Sequence, residues 1–412
     1  MNVLFIHPSY PNQFTRIAHK MGQYNGIKCS CLVDAAFSAQ VRADGVPIAY
    51  YGFQKDQGNG NAGSAGYFYS STCEDAIRNG KGVAETLSAI IKTTPVDIVV
   101  GHAAFGATFF IKKLLNVPVI SYAEMAGYDM THSRQEFPPL LQHRFLDVSF
   151  KSVVYTSAIH SDLIIVPSQH ARKGFPPELQ SKIRVQMEGF PISPNHYDRN
   201  VLRETLGLPD PGPIIGFAGR TLEAMRGFDI FVKIAARIAK EIPDAHFLVI
   251  GDDKTIYGNE KVYLGQKSFK QYAFETANLG EDRFIFYNFL PRDPFLRCLQ
   301  AMDLFICPLF EGAGNWSLFE AMACGLKILA SNRCFIPEVI TNGKEGFLFD
   351  PYDIDDFVSK SLEILADTES YKYLGVNAQQ RIKNQFSVEK AVKGYVEIIN
   401  EAMGTQKRDL LS

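Results

Sequence analysis

Residues 311–325 read Glu-Gly-Ala-Gly-Asn-Trp-Ser-Leu-Phe-Glu-Ala-Met-Ala-Cys-Gly. They follow the apolar run Leu304–Cys307, which predicts a short buried strand. Asn315 or Ser317, near the centre of the stretch, can cap a helix that begins there. A strand, a loop of small residues and a helix N-terminus together form an anion site, because unpaired N–H groups and the helix dipole both point out of the helix.

Two carboxylates, Glu311 and Glu320, frame this predicted anion site. Phosphate groups need no carboxylates, so we expect a ligand that is also rich in hydroxyl groups. The helix is expected to run to about Cys324, with Gly325 in the left-handed conformation that ends many helices. The alternative interpretation is an ordinary capped helix in a sheet protein.

This acid-framed segment resembles the acid-pair motif of the retaining glycosyltransferases of family 4, which have two facing Rossmann-like domains (the GT-B fold). In that family the first Glu contacts the hydroxyls of the donor sugar, and the second binds the ribose. The resemblance therefore implies that Glu311 binds the sugar and Glu320 the ribose. It also implies nucleotide binding by seven of the residues between them, namely Gly312, Ala313, Gly314, Asn315, Trp316, Ser317 and Leu318.

The spacing of the two acids departs from the family pattern. The family usually has seven residues between them, and this chain has eight. Either the loop bulges by one residue, which Gly312 and Gly314 would permit, or Gly312 occupies the position of the first acid.

A second motif, Gly219-Arg220, follows the predicted strand Ile214–Phe217, and Arg226 comes six residues after Arg220. Two guanidiniums on a loop that enters a helix can converge on one diphosphate, and each charge-assisted hydrogen bond contributes about 1.5–3 kcal/mol. The family reads Gly-Arg and then Lys-Gly here, so Arg226 replaces the usual Lys. Two solvated arginines at a helix start are the alternative.

The resemblance places nucleobase contacts near Leu290, in the stretch Tyr287–Pro291. The family binds the base there largely through backbone atoms near a Gly, which this chain lacks. The expectation of uracil, and hence of a UDP-sugar, is therefore inherited from the resemblance alone.

Two catalytic candidates lie in the first half of the chain. His102 ends a predicted strand, and ligands gather at the carboxyl ends of strands in open α/β sheets. Glu124 follows the strand Val117–Tyr122 and stands where many family members have a His. For His102 a structural, hydrogen-bonded role is the alternative. For Glu124 it is a local pair with Arg134 or Arg144.

Two acidic runs invite a metal interpretation, Asp252-Asp253 and Asp353–Asp356. The second run precedes an apolar helix pattern, and acids favour the first turn of a helix. We therefore expect helix capping and no metal cofactor, with Arg220 and Arg226 neutralising the diphosphate.

Composition excludes several classes of protein. A length of 412 residues predicts two domains, and 46% hydrophobic with 21% charged residues is typical of a globular protein. A net charge of −2 argues against nucleic-acid binding. The seven cysteines show no Cys-x-x-Cys spacing, so a cytoplasmic, zinc-free protein is expected. Peripheral contact with a membrane surface stays open, and so does the oligomeric state.

Strand and helix patterns alternate along the chain, which predicts an α/β fold with parallel sheets. With the resemblance, which covers roughly residues 2–400, this implies an acceptor-binding Rossmann-like domain over 1–190 and a nucleotide-sugar-binding one over 191–385. Residues 386–412 are expected to form a helix that returns to the first domain, and a tail.

The sequence as a whole predicts a hexosyltransferase that moves a sugar from a nucleotide-sugar donor to a hydroxyl of a glycan or lipid acceptor. Retention of the anomeric configuration and a role in envelope polysaccharide or glycolipid synthesis are implied by the resemblance. The alternatives are another enzyme on this fold, such as a sugar phosphorylase or an epimerase, and a non-catalytic subunit that binds nucleotide or glycan.

Overall fold

The computed structural model describes residues 1–44, 48–56, 67–127, 134–192, 199–208 and 212–404. The chain divides into two compact units. The first comprises Met1–Tyr128, Leu140–Gly189 and Val388–Ser412, and the second comprises Asp129–Pro139 and Phe190–Ser387.

The first unit contains a parallel sheet of seven strands with helices in the connections. Its strands are β1 (Asn2–Ile6), β2 (Lys28–Asp34), β3 (Ala49–Phe53), β4 (Ile98–His102), β5 (Val119–Tyr122), β6 (Leu163–Val166) and β7 (Ile183–Val185). Its connecting helices are α1 (Thr15–Met21), α2 (Ser38–Ala43), α3 (Ser71–Ile90), α4 (Ile111–Leu114), α5 (Leu141–Ile159) and α6 (Gln169–Lys173). Short 3-10 helices span Ala35–Phe37, Phe68–Ser70, Ala103–Phe105 and Pro177–Lys182.

The second unit contains a parallel sheet of six strands. Its strands are β8 (Ile214–Thr221), β9 (His246–Asp252), β10 (Phe284–Tyr287), β11 (Leu304–Cys307), β12 (Lys327–Ser331) and β13 (Phe347–Phe349). Its helices are α7 (Arg199–Thr205), α8 (Phe228–Glu241), α9 (Lys261–Leu264), α10 (Phe269–Ala277), α11 (Arg292–Ala301), α12 (Trp316–Ala323), α13 (Ile336–Val339), α14 (Ile354–Ala366) and α15 (Lys372–Arg381), with a 3-10 helix over Ala224–Arg226 and a π-helical turn over Ile382–Phe386.

The two sheets share one strand topology. The order is β3-β2-β1-β4-β5-β6-β7 in the first and β10-β9-β8-β11-β12-β13 in the second. In each sheet the order reverses beside the first strand, between β1 and β4 and between β8 and β11. Ligands of open α/β sheets bind outside the carboxyl ends of the strands at such a reversal. The loops after these four strands are therefore where a site is expected.

The central strands of the first sheet are buried along their whole length, as β4, β5 and β6 are, because helices cover both faces of a parallel sheet. Their continuous apolar runs were predicted from the sequence. Strands β2, β3, β7 and β13 were not predicted. Three of these lie at sheet edges, and β7 and β13 have only three residues each, which is too short for a clear strand pattern.

The last helix, α16 (Val388–Ala402), belongs to the first unit, as the sequence predicted. Its buried residues Val392, Tyr395 and Ile399 pack in the core cluster that contains Phe5 and Ile120 of the first sheet. Residues 405–412, the rest of the predicted tail, lie outside the described residues.

The short segment 134–139 departs from the expected domain limits. It interrupts the first unit in sequence, yet it groups with the second unit. Phe137 of this segment is 3% exposed in the core cluster that contains Phe228 and Phe269.

Among the described residues, no helix combines the length and the apolar character that a membrane span requires.

The most buried carboxyl group of the first unit belongs to Glu188, which is 3% exposed. The Tyr122 hydroxyl donates a hydrogen bond to its Oε1, and Tyr395 of α16 is a close electrostatic neighbour of Glu188. Burial raises the pKa of Glu188 to about 7, and the charge of Glu124 acts in the same direction. The hydrogen bond from Tyr122 opposes this rise without cancelling it.

We predict that Glu188→Gln stabilises the protein more at pH 8 than at pH 5. The pKa of the folded group, about 7, lies above the reference value of 4.5. The folded protein therefore binds more protons than the unfolded chain between these values, and stability falls as the pH rises through that window. The gain from Gln at pH 8 should reach at most about 3 kcal/mol.

Thermal denaturation at both pH values measures this effect. Glu397→Gln, on the exposed face of α16, is the matched control and should change the melting temperature equally little at both pH values. The same shift for Glu188→Gln at pH 5 and pH 8 would contradict the prediction.

Candidate active site

The loop after β8 enters α8 through a tight turn at Gly227. This glycine has φ +73°, a left-handed conformation, and a Cβ there would lie 2.1 Å from the Pro308 carbonyl oxygen. Only glycine meets both conditions without strain. Gly227 therefore allows the loop after β8 to pack directly against the chain that leaves β11.

The structure brings Arg220 and Arg226 to one aromatic ring. The guanidinium carbons lie 6.0 Å and 5.9 Å from the centroid of the Tyr257 ring, respectively. Arg220 Nη1 also donates a hydrogen bond of 2.8 Å to the Tyr257 hydroxyl. A Cβ at Gly219 would lie 3.0 Å from Arg226 Cδ, so this glycine leaves room for the arginine stem.

The buried carboxylate of Glu223 stabilises this loop. Glu223 is 0% exposed, and its Oε1 accepts hydrogen bonds from the backbone N–H groups of Ile256 and Tyr257. Its Oε2 lies 3.8 Å from Arg226 Nε. Glu223 therefore connects the loop after β8 with the loop after β9 and leaves a negative charge beside Arg226.

Sequence reasoning missed both Glu223 and Tyr257 as site residues. Glu223 lies between the two predicted arginines, and a carboxylate enclosed by apolar neighbours in that motif was an available signal. No comparable sequence signal existed for Tyr257, because it reaches the arginines from a different loop.

The acid-framed stretch forms the predicted loop and helix. Asn315 is the cap of α12, and its side chain accepts a hydrogen bond of 3.1 Å from the Leu318 N–H. The helix ends with Cys324 as its last cap residue, and Gly325 follows with φ +72°. Of the two caps that the sequence left open, Asn315 is the one used.

The two acids of this stretch have different surroundings. Glu311 is half-buried, and its Oε1 accepts a hydrogen bond of 3.1 Å from the Gly312 N–H. Glu320 is 6% exposed, and its Oε1 lies 3.7 Å from Nε of Arg292 at the start of α11. Arg292 was not predicted as part of the site. Ala313 is buried, whereas Gly314 is exposed and Trp316 and Ser317 are half-buried.

Leu290, the predicted base-contact residue, is half-buried on the loop after β10. The preceding residue, Phe289, is 81% exposed, and its N–H donates a hydrogen bond of 3.1 Å to Asp252 Oδ1. The Asp252 carbonyl oxygen accepts from the Leu222 N–H at 2.9 Å. Asp252 thus connects the loops after β8, β9 and β10.

The acidic run before α14 caps that helix, because the Asp353 side chain accepts a hydrogen bond from the Asp356 N–H. Asp355 pairs with Arg237 on α8. Within the described ranges, no three His, Cys, Asp or Glu side chains are grouped so that they could hold a metal ion.

In the first unit, two histidines meet at the strand reversal. His7 follows β1 and His102 ends β4, and their ring centroids are 5.0 Å apart. Each Nδ1 accepts a backbone hydrogen bond, from Ser9 at 2.9 Å and from Ala104 at 3.2 Å, so in each neutral ring Nε2 carries the proton. His7 was missed by sequence reasoning, although it follows the first strand as His102 ends the fourth.

Burial keeps both rings neutral. It lowers the pKa of His7 to about 3, against the opposing effect of hydrogen bonds with Ser9 and Gln13. It holds the pKa of His102 well below its ordinary value, and the nearby His7 lowers it further. At neutral pH these groups are therefore hydrogen-bond donors and carry no charge.

Glu124 lies beyond the end of β5, where the sequence predicted it. Gln13 Nε2 donates a hydrogen bond of 2.6 Å to Glu124 Oε1. Gln13 also interacts with His7, whose ring meets that of His102 edge to face. The pairing with Arg134 that the sequence left open is wrong, because Arg134 binds Asp229 and Glu136.

Comparison with known proteins gives matches over both halves of the chain. Residues 198–381 match a family model described as Glycosyl transferases group 1. Residues 26–194 match a second model, described as Glycosyl transferase family 4 group. The chain is also 25% identical over 292 residues to a sulfoquinovosyl transferase of Arabidopsis thaliana. This alignment covers 68% of this chain and 51% of that protein. The chain spans about half the length of the curated relatives it matches.

Solved structures resemble the fold over nearly the whole chain. A sucrose-phosphate synthase from Thermosynechococcus elongatus matches with a TM-score of 0.74 at 16% identity, over 98% of this chain and 99% of that one. HepE of Anabaena, in complex with UDP and glucose, matches with a TM-score of 0.70 at 18% identity, over 97% and 100%. Together with the two parallel sheets, these matches confirm the fold class that the sequence predicted.

Proposed function

Since the chain belongs to the family 4 group of glycosyl transferases, we propose that it moves a sugar from a UDP-sugar donor to a hydroxyl of a glycan or lipid acceptor, with retention of configuration. The observation that carries this proposal is the convergence of the Arg220 and Arg226 guanidiniums on one ring beside β8. Strand β8 pairs with β11, so the N-terminal end of α12 lies at the same sheet edge. Two cations and a helix N-terminus suit a diphosphate.

In this proposal, Arg220 and Arg226 neutralise the charge that develops on the leaving diphosphate. Such electrostatic stabilisation of the transition state is often the largest contribution to catalysis. Backbone amides between Gly312 and Leu318 hold the phosphates, whereas the N–H groups of those two residues are bound to Glu311 and Asn315. Gly219 gives Arg226 room. No metal is needed for this neutralisation.

The acids and Leu290 orient the rest of the donor. Glu320 accepts hydrogen bonds from the ribose, and Arg292 Nε lies 3.7 Å from its Oε1. Glu311, or the loop at Gly312, orients the sugar. Leu290 lies at the base. The choice of UDP is supported by HepE, a solved structure of the same fold that holds UDP and glucose.

In the first unit, His102 and Glu124 serve the acceptor or the sugar. In this proposal neutral His102, with its proton on Nε2, donates a hydrogen bond, and a Glu124 side-chain oxygen accepts one. Neither has to act as a dedicated base if the leaving phosphate takes the acceptor proton. The polysaccharide or glycolipid setting, the cytoplasmic location and peripheral membrane contact are proposed by analogy with the family.

Purified protein incubated with a panel of nucleotide sugars tests the activity. We expect a UDP-sugar to be turned over, slowly to water and faster with a hydroxyl acceptor, and the product to keep the anomeric configuration by NMR. Excess EDTA should leave the rate unchanged. Binding without turnover of any donor would favour a non-catalytic subunit, and a saturable magnesium dependence would identify a metal enzyme.

We predict that Arg220→Ala and Arg226→Ala each weaken UDP binding, and that their effects couple because both guanidiniums share one diphosphate. Each loss removes a charge-assisted contact of about 1.5–3 kcal/mol, which corresponds to at least about tenfold in affinity. Calorimetric titration of UDP measures this. Lys254→Ala, an exposed cation on the loop after β9, is the control. Unchanged affinity in both arginine variants would remove the diphosphate from this loop.

The carboxylates are separated by their kinetic signatures. Glu320→Gln should weaken UDP binding, because an amide accepts less well from two ribose hydroxyls. Glu311→Gln and Glu124→Gln should keep UDP affinity and melting temperature but lose turnover. Full activity of Glu311→Gln would mean that Gly312 stands in the position of the first acid, and a lowered melting temperature with near-normal turnover would leave Glu124 with a structural role only.

A further inference from the structure

We propose that Arg134, which comes from the first half of the chain, is a positioning residue for the donor-binding loops of the second unit. Its effect on UDP affinity rests on the function proposed above. Its effect on the loops themselves does not depend on that function.

Arg134 uses every N–H donor of its guanidinium. Nη1 donates to the Ala224 carbonyl oxygen at 2.8 Å and to Asp229 Oδ1 at 2.9 Å. Nη2 donates to Asp229 Oδ2 at 2.9 Å and to Glu136 Oε1 at 3.1 Å, and Nε donates to Glu136 Oε2 at 3.2 Å. The residue is 4% exposed, and Asp229 is fully buried. A guanidinium has five such donors in a fixed planar fork, which a Lys ammonium cannot reproduce.

The partners of Arg134 belong to the loops that carry the candidate site. Ala224 comes two residues before Arg226, and Asp229 lies in the first turn of α8. The guanidinium carbon also lies 4.2 Å from the centroid of the Phe310 ring, and Phe310 immediately precedes Glu311. The Phe310 N–H donates in turn to the Met225 carbonyl oxygen at 2.8 Å. One buried cation therefore contacts both the arginine loop and the chain that leads into the acid-framed loop.

The segment around Arg134 is itself firmly held in the second unit. Phe137 packs in the core of that unit, and the Pro138 carbonyl oxygen accepts hydrogen bonds from Asn259 Nδ2 at 2.8 Å and from the Tyr263 hydroxyl. The Tyr352 hydroxyl donates to Glu136 Oε2 at 2.7 Å. Burial raises the pKa of Glu136, but hydrogen bonds from Arg134 and Tyr352 lower it to about 2, so this carboxylate stays ionised near neutral pH.

These contacts give Arg134 a role beyond filling space. The Ala224 carbonyl and the Asp229 carboxylate lie on either side of Arg226 in sequence, and one rigid fork sets their separation. If the fork is lost, the turn between them can relax, and Arg226 loses its alignment with Arg220. The donor site is then weakened although no residue that contacts the donor has changed.

A second buried arginine provides the matched control. Arg203 Nε donates to the Ala301 carbonyl oxygen at 3.2 Å, its Nη1 to the Gly212 carbonyl oxygen at 3.3 Å, and its Nη2 contacts Asp303. It has the same kind of fork and lies in the same unit, with 9% exposure. Gly212 and Asp303 precede β8 and β11, so this fork holds the opposite, amino-terminal edge of the sheet.

The experiment compares Arg134→Lys with Arg203→Lys in the full chain, at a temperature where both are fully folded. Hydrogen exchange of backbone amides in residues 220–228 should become faster in Arg134→Lys and remain unchanged in Arg203→Lys. UDP affinity by calorimetry should fall at least about tenfold in Arg134→Lys only. In an Arg226→Ala background, Arg134→Lys should cost little further affinity, because the residue through which it acts is gone.

The outcomes separate this inference from the proposed function. If the parent protein binds no UDP, the proposed function fails, and hydrogen exchange alone decides the role of Arg134. Unchanged exchange in residues 220–228, or equal loosening in both lysine variants, would overturn the inference. If Arg134→Lys does not fold, Glu136→Gln removes a single partner of the fork at a half-exposed site and should give the same pattern at smaller amplitude.

Discussion

Everything at the candidate site depends on the parallel pairing of β8 with β11, where the strand order of the second sheet reverses. Leu304 of β11 pairs with Ile215 of β8. Because consecutive connections leave these two strands in opposite directions, a crevice is expected outside their carboxyl ends. The arginine loop and the acid-framed loop are the two sides of this crevice. Their contact at Gly227 requires a residue without a side chain.

At these loops an exposed arginine lies above buried acidic residues. Arg220 is exposed, whereas Glu223, Asp229 and Glu260 are buried beneath the same loop. A buried carboxylate is costly unless hydrogen bonds satisfy it, and here backbone N–H groups and Arg134 provide them. Burial raises the pKa of Glu260, although the Ala224 N–H bound to it acts in the opposite direction. The buried acids hold the loop in shape, and Arg220 presents its charge to solvent.

The first unit repeats the topology with different chemistry. Its reversal between β1 and β4 brings together two neutral histidines, where the second unit has two cations. Burial suppresses the charge of His7 and His102, so this edge holds two neutral imidazoles beneath the Glu124 loop. The same backbone arrangement thus carries neutral histidines in one unit and arginines in the other.

The sequence by itself determined the α/β class, most interior strands and the local structure of the acid-framed stretch. Continuous apolar runs such as Leu304–Cys307 are dictated by burial on both faces of a parallel sheet, and they are readable without any partner. The cap at Asn315 and the glycine at Gly325 are local requirements of one helix, so they too were predictable. Three of the four edge strands, β3, β7 and β13, were not predicted, because strands of only three residues, such as β7 and β13, carry too short a pattern.

Only the tertiary structure decided which distant residues meet these motifs. Tyr257 lies between the two arginines because the loop after β9 folds over them, and Arg292 approaches Glu320 from a separate helix. Arg134 was one of two alternative partners considered for Glu124 because it is near in sequence, yet its fork binds Asp229, 95 residues away. A local pattern reports the backbone requirements of its own segment. The pairing of a buried charge depends on which carboxylate the folded chain brings within hydrogen-bond distance, and no local pattern contains that information.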